Sequence, residues 1–101
     1  MKMEINGEAL RVSSITQLGE ANAKAFRDWV RGALKKGHRN IEVDLSQTTF
    51  VDSSGLGALI ALQKTAVSRK GKLLLLNPQP AVRQIIQLTR LDNFFEIVNS
   101  E

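Results

Sequence analysis

The sequence contains no cysteine, which excludes disulfides, thiolate catalysis and cysteine-ligated metal. Its single histidine, His38, excludes a multi-histidine metal centre. Aromatic residues are 5% of the chain and do not interleave with its basic residues, so a base-stacking surface is missing. Proline occurs only twice, with no low-complexity tract, repeat or linker beside it. The longest aliphatic run, Leu73-Leu74-Leu75-Leu76, is far short of the roughly 20 residues that span a bilayer. The N-terminus alternates apolar and polar residues and does not resemble a signal peptide. These absences point to a cytoplasmic protein with no membrane span and no expected cofactor or metal.

What is present is ordinary for a globular protein: 101 residues, 43% hydrophobic and 24% charged. That length predicts one domain over residues 1–101. The net charge is +4 and is unevenly spread. Lys24, Arg27, Arg31 and Lys35 recur at three- and four-residue steps on one predicted helix, followed by Lys36 and Arg39. Arg69, Lys70 and Lys72 form a second group. A solvated helix face explains them first and an acidic partner surface second. Direct nucleic-acid binding is not expected.

Met3 and Ile5, then Leu10 and Val12, alternate with polar residues on either side of Asn6-Gly7, which predicts an antiparallel hairpin. Residues 14–19 read as a loop. Residues 20–36 read as a helix, with Ala23, Phe26, Trp29, Val30, Ala33 and Leu34 on its core stripe and Gly37 as its cap. The stripe places Trp29 in the core, and the turn after the helix makes His38 a solvated loop residue. Ile41, Val43 and Leu45 predict a strand, with residues 49–51 as a short extension. Residues 54–70 predict a second helix, with Leu56, Leu59, Ile60, Gln63 and Val67 on one face, Ala58, Leu62 and Ala66 beside it, and Gly71 as its cap. Residues 72–77 form an aliphatic strand suited to a sheet interior. Pro80 opens a third helix bearing Val82, Ile85 and Ile86, and residues 94–98 close the chain as a strand. The fold class is α/β: a mostly parallel central sheet with an antiparallel N-terminal strand and three to four helices.

Chemistry concentrates at Val51-Asp52-Ser53-Ser54-Gly55-Leu56-Gly57. Here a strand gives way to a helix whose free N–H groups and dipole favour an anion. Asp52, Ser53 and Ser54 each suit an N-cap, and a serine here also suits phosphorylation. Catalysis lacks parts. The serines precede the first glycine, unlike a nucleophile elbow, and His38 lies before the strand that leads to them. The Lys-Ser or Lys-Thr ending of a nucleotide-binding loop is missing.

The 51–57 stretch resembles the signature of bacterial anti-sigma factor antagonists, whose fold is the STAS domain. The likeness extends through Ile41-Glu42-Val43-Asp44-Leu45, the 73–77 strand, Pro80-Ala81-Val82, Leu91 and Phe94-Phe95-Glu96-Ile97. It implies a binding module rather than an enzyme. Ser53 is then the phosphorylated position, with Ser54 the fallback. The implied partners are an anti-sigma factor serine kinase, bound when Ser53 is unmodified, and a serine phosphatase. Partner binding falls on Asp52, Ser53, Ser54, Gly55, Leu56 and Gly57, with Gly19 and Glu20 across the site. The sequence departs from the family at Thr16-Gln17-Leu18-Gly19. Gly19 stands where the family usually carries an aspartate, and Glu20 follows. A structural STAS subunit of a larger signalling or lipid-transport assembly is the alternative.

Overall fold

The computed structural model describes residues 1–99. Elements run β1 (Lys2–Asn6), β2 (Ala9–Ser13), β3 (Gln17–Leu18), α1 (Ala23–Ala33), β4 (Asn40–Asp44), β5 (Phe50–Val51), α2 (Ser53–Ser68), β6 (Leu73–Leu76), α3 (Pro80–Leu88) and β7 (Glu96–Val98). The main sheet has the order β1-β2-β4-β6-β7. Only the β1–β2 pair is antiparallel, as the hairpin signal predicts. Its loop is Gly7-Glu8, and of the two only Gly7 takes a positive φ, +64°, the pattern of a II′ turn.

Strand periodicity decides which face is covered. Leu10, Val12, Ile41, Val43, Leu73 and Leu75 are buried in one cluster with Phe26 and Val30 of α1, Leu59 and Leu62 of α2, and Val82 and Ile86 of α3. The alternate positions face the other side, where Arg11 meets Asp44 at 3.6 Å. The molecule is therefore a sheet with helices on one face, and β6 lies in the interior between β4 and β7.

Several expectations are corrected. Helix α1 is shorter at both ends. The Gly19 carbonyl accepts from the Asn22 and Ala23 N–H groups, so residues 20–22 form a turn before the helix. At the far end Leu34 turns extended (ψ 125°), so Gly37 does not cap the helix. Trp29 is 41% exposed. It lies roughly a quarter-turn from the Phe26–Val30 line, off the buried stripe. His38 is buried, 8% exposed, because its Nδ1 accepts the Lys35 N–H at 3.1 Å. The Arg69 guanidinium closes this turn by donating to the carbonyls of Lys35 and His38 at 2.8 and 2.7 Å.

Helix α2 begins one residue earlier than expected and buries a rotated stripe. Leu56, Leu59, Leu62 and Ala66 are inside, whereas Val67 is exposed. Contact with α1 on one flank and with β4 and β6 beneath draws Ala58 and Ala66 inward. Lys70, at φ 63°, takes the left-handed position after the helix, with Gly71 N–H returning to the Ala66 carbonyl at 2.8 Å. Gly71 is needed for another reason: a Cβ there would lie 2.0 Å from the Arg39 carbonyl oxygen. The predicted loop of residues 14–19 contains β3, which pairs with β5 in a separate two-stranded ladder rather than extending the main sheet. The last strand starts at Glu96. Phe94 and Phe95 precede it in the turn, packed edge to face at 5.2 Å.

Candidate functional site

The β3–β5 ladder brings the two halves of the site together. Leu18 pairs with Val51, and the Leu18 carbonyl also accepts the Asp52 N–H at 3.3 Å. Residues 19–20 and 52–57, far apart in sequence, thus meet at one end of the sheet.

Asp52 is the hinge of this arrangement. It is extended (φ −112°, ψ −171°) and caps α2 by accepting the Gly55 N–H on Oδ1 at 3.0 Å. Its Oδ2 accepts the Glu20 N–H, also at 3.0 Å. One carboxylate therefore ties the start of α2 to the turn that precedes α1. The Gly55 and Glu20 N–H groups favour the charged form, holding the Asp52 carboxyl below the ordinary aspartate value. The sequence left three residues open as N-cap; the geometry assigns Asp52.

Ser53 and Ser54 follow as the first two residues of α2, both exposed. With the capping role taken by Asp52, neither hydroxyl has a hydrogen-bond partner among the described residues. Gly55 and Leu56 are buried. A Cβ on Gly55 would lie 2.1 Å from the Leu18 carbonyl oxygen, so this glycine lets the helix seat on β3. Gly57 is exposed, with nothing within 4 Å of where a Cβ would stand. Gly19 is buried, and a Cβ there would lie 2.8 Å from Asp52 Oδ2 and 2.9 Å from the Phe50 ring. Any side chain at 19 would thus require the Asp52 or Phe50 side chain to shift, and glycine avoids this. Glu20 is exposed at the rim.

Two features beside the site escape sequence reasoning. Phe50 is 49% exposed next to Gly19. The out-in alternation of Phe50-Val51 is the signal that could have shown it. An open groove of about 360 Å³ also runs between α1 and α2, with Glu20, Lys24 and Arg27 on one side and Ser54 and Gly57 on the other. Its pairing of two helices is not encoded in either segment alone.

The site does not gather a catalytic set. His38 precedes β4, at the opposite end of that strand from the serines, and its Nδ1 is engaged by backbone. Among the described residues no group of three or more His, Cys, Asp or Glu could hold a metal ion, and no helix is long and apolar enough to cross a membrane.

Known proteins resemble this chain in sequence and fold. The STAS domain family matches residues 1–101. A Thermotoga maritima protein provisionally named an anti-sigma factor antagonist is 32% identical over 85 residues, covering 83% of this chain and 75% of the relative. A crystal structure of a Thermotoga maritima protein of the same provisional name superposes with TM-score 0.90 at 27% identity, covering 99% of this chain and 86% of that one. The anti-sigma factor antagonist SpoIIAA, in its unphosphorylated form, shares the fold with TM-score 0.84 at 22% identity, over 99% of this chain and 87% of its own. With the family matched over its whole length and a relative 32% identical over most of both chains, this chain belongs to the STAS domain family.

Proposed function

We propose that this protein is an anti-sigma factor antagonist switched by phosphorylation of Ser53. Unmodified, it binds and sequesters an anti-sigma factor serine kinase, which releases the sigma factor. Phosphorylation by that kinase prevents binding, and a serine phosphatase restores it. The observation that carries this reading is the exposed, unengaged Ser53 hydroxyl at the first position of α2, directly after a cap already supplied by Asp52. A hydroxyl needed for capping would be a poor acceptor, and this one is free of that duty. The names of the relatives point the same way.

The physics of the switch is consistent. A phosphate adds about −1.5 to −2 charges at neutral pH. At a helix N-terminus the chain's own N–H groups and dipole tolerate it, so the fold survives. The related SpoIIAA fold has been solved in both unphosphorylated and phosphorylated forms. The cost falls on the partner, which must desolvate the new charge or oppose it with an acid. A loss of about 3–4 kcal/mol weakens a complex several-hundredfold.

The test is affinity capture with wild type and Ser53→Asp, followed by incubation with the captured kinase and ATP and phosphate mapping by mass spectrometry. Phosphate on Ser53 and loss of capture by Ser53→Asp are expected. Phosphate on Ser54 alone would move the switch one residue. No modification, with a control antagonist modified in parallel, would refute it. Gly19, which removes a side chain from the rim, favours one alternative, a structural STAS subunit of a larger assembly. That reading predicts a stable partner indifferent to Ser53→Asp.

A further inference from the structure

We infer that the groove between the N-terminal halves of α1 and α2 docks an acidic segment of the protein partner. This deepens the proposed switch and rests on it for the partner's identity. Lys24 and Arg27 form one wall; Ser54, Gly57 and Ala58 form the floor. Further along the two helices, Arg31 ties α1 to α2: its Nε donates to Thr65 Oγ1 at 3.0 Å and Nη2 to the Ala61 carbonyl at 3.4 Å.

Gly57 is the first clue. A glycine inside a helix disfavours it relative to alanine. Gly55 repays this by seating α2 on β3, but Gly57 has open space where its Cβ would be. The fold does not need a glycine there. A floor without a side chain is instead what a second chain needs to approach a helix closely.

Charge is the second clue. Lys24 is in no ion pair among the described residues. Arg27 spends only its Nε on Asp28, at 3.1 Å, leaving its terminal nitrogens for another acceptor. Among the described residues, Glu20 is the one carboxylate lining the groove. A partner carboxylate is therefore drawn toward Lys24 and Arg27 and away from Glu20, which sets the direction of docking. No aromatic residue lines the groove, so it offers nothing for a base to stack on. Trp29 lies elsewhere on α1, lining a separate apolar depression with Met1 and Ala25.

The groove also gives the switch its sign. Ser54 is part of its floor and Ser53 is the adjacent residue. A phosphate on Ser53 adds negative charge to the same helix start, which disfavours an acidic segment beside Ser54.

The test titrates isotope-labelled protein with a helical Glu-Ala peptide, its Lys-Ala counterpart and a short single-stranded DNA, read by amide NMR. The acidic peptide is expected to move the resonances of Lys24, Arg27, Ser54 and Gly57, less so as salt rises. Lys24→Glu/Arg27→Glu is expected to weaken binding about tenfold or more. Gly57→Ala should raise the melting temperature yet weaken binding, a split that a purely structural role would not produce. Shifts away from the groove, none at all, or a stronger response to DNA would overturn the inference. The captured kinase separates the two proposals. If it senses Ser53→Asp but ignores Lys24→Glu/Arg27→Glu, the groove fails and the switch stands. If the peptide fills the groove but Ser53→Asp leaves the kinase bound, the switch fails and the groove stands.

Discussion

Gly55→Ala and Gly57→Ala make the same chemical change two residues apart, and the structure predicts opposite signs. At Gly55 a Cβ would stand 2.1 Å from the Leu18 carbonyl oxygen, 2.9 Å from its carbon and 3.1 Å from Val51 Cγ1. The first two are backbone atoms, so no side-chain rotation relieves the contact. The same Leu18 oxygen accepts the Asp52 N–H, so moving β3 also strains the helix cap. Overpacking of this kind costs about 1–3 kcal/mol. The upper end applies, because a backbone carbonyl yields least. Alanine's better helix propensity returns about 0.5–1 kcal/mol. The net loss is about 2 kcal/mol, which lowers the melting temperature of a domain this size by about 10 °C. At Gly57 the propensity gain stands alone, a rise of about 2–8 °C. Thermal unfolding followed by circular dichroism reads both. Gly55→Ala melting at or above the wild type, or Gly57→Ala melting below Gly55→Ala, would refute the close approach of α2 to β3.

Other positions carry further expectations. Asp52→Asn removes a carboxylate whose pKa is depressed in the fold by the Gly55 and Glu20 N–H groups. A depressed pKa means stability that is complete above the unfolded-state value and lost as pH falls through the folded-state value. The wild type should therefore lose stability in acid more steeply than Asp52→Asn in urea titrations run from neutral pH to below pH ~4. Arg69→Met deletes both donors to the Lys35 and His38 carbonyls and should cost about 1–3 kcal/mol in the same titrations. If it is neutral, the guanidinium does not hold that turn. Trp29, 41% exposed, should fluoresce at long wavelength and be quenched by iodide in the native state. A blue-shifted, unquenched emission would return it to the core.

Much of the architecture was legible because it depends on local pattern. Alternation in residues 2–13 and 41–45 placed strands, and the Asn6-Gly7 pair placed the hairpin. Pro80 marked the first residue of α3. What failed depended on neighbours. Trp29 has helical spacing with Phe26, but stripe width depends on how α1 sits on the sheet. His38 is in a loop as expected but looked solvated, because its partners are the Lys35 N–H and, through its own carbonyl, Arg69 from another element. Two-residue strands such as β3 and β5 have no period to detect; each exists only because the other is there.

Sequence pattern alone was enough for the order of the main-sheet strands and the helices and for the anion-tolerant junction of Asp52 with Ser53. These follow from side-chain periodicity and from the chemistry of a helix start, which act within a few residues. Only the tertiary structure decided which residue caps α2, and hence which hydroxyls are left free. It also decided that Gly19 sits tight against the Asp52 and Phe50 side chains and that Lys24 and Arg27 face Ser54 and Gly57 across a groove. Those outcomes join segments some 30 residues apart, as in the bond from Glu20 N–H to Asp52 Oδ2. No local pattern encodes the distance between two chains of atoms that only folding brings together.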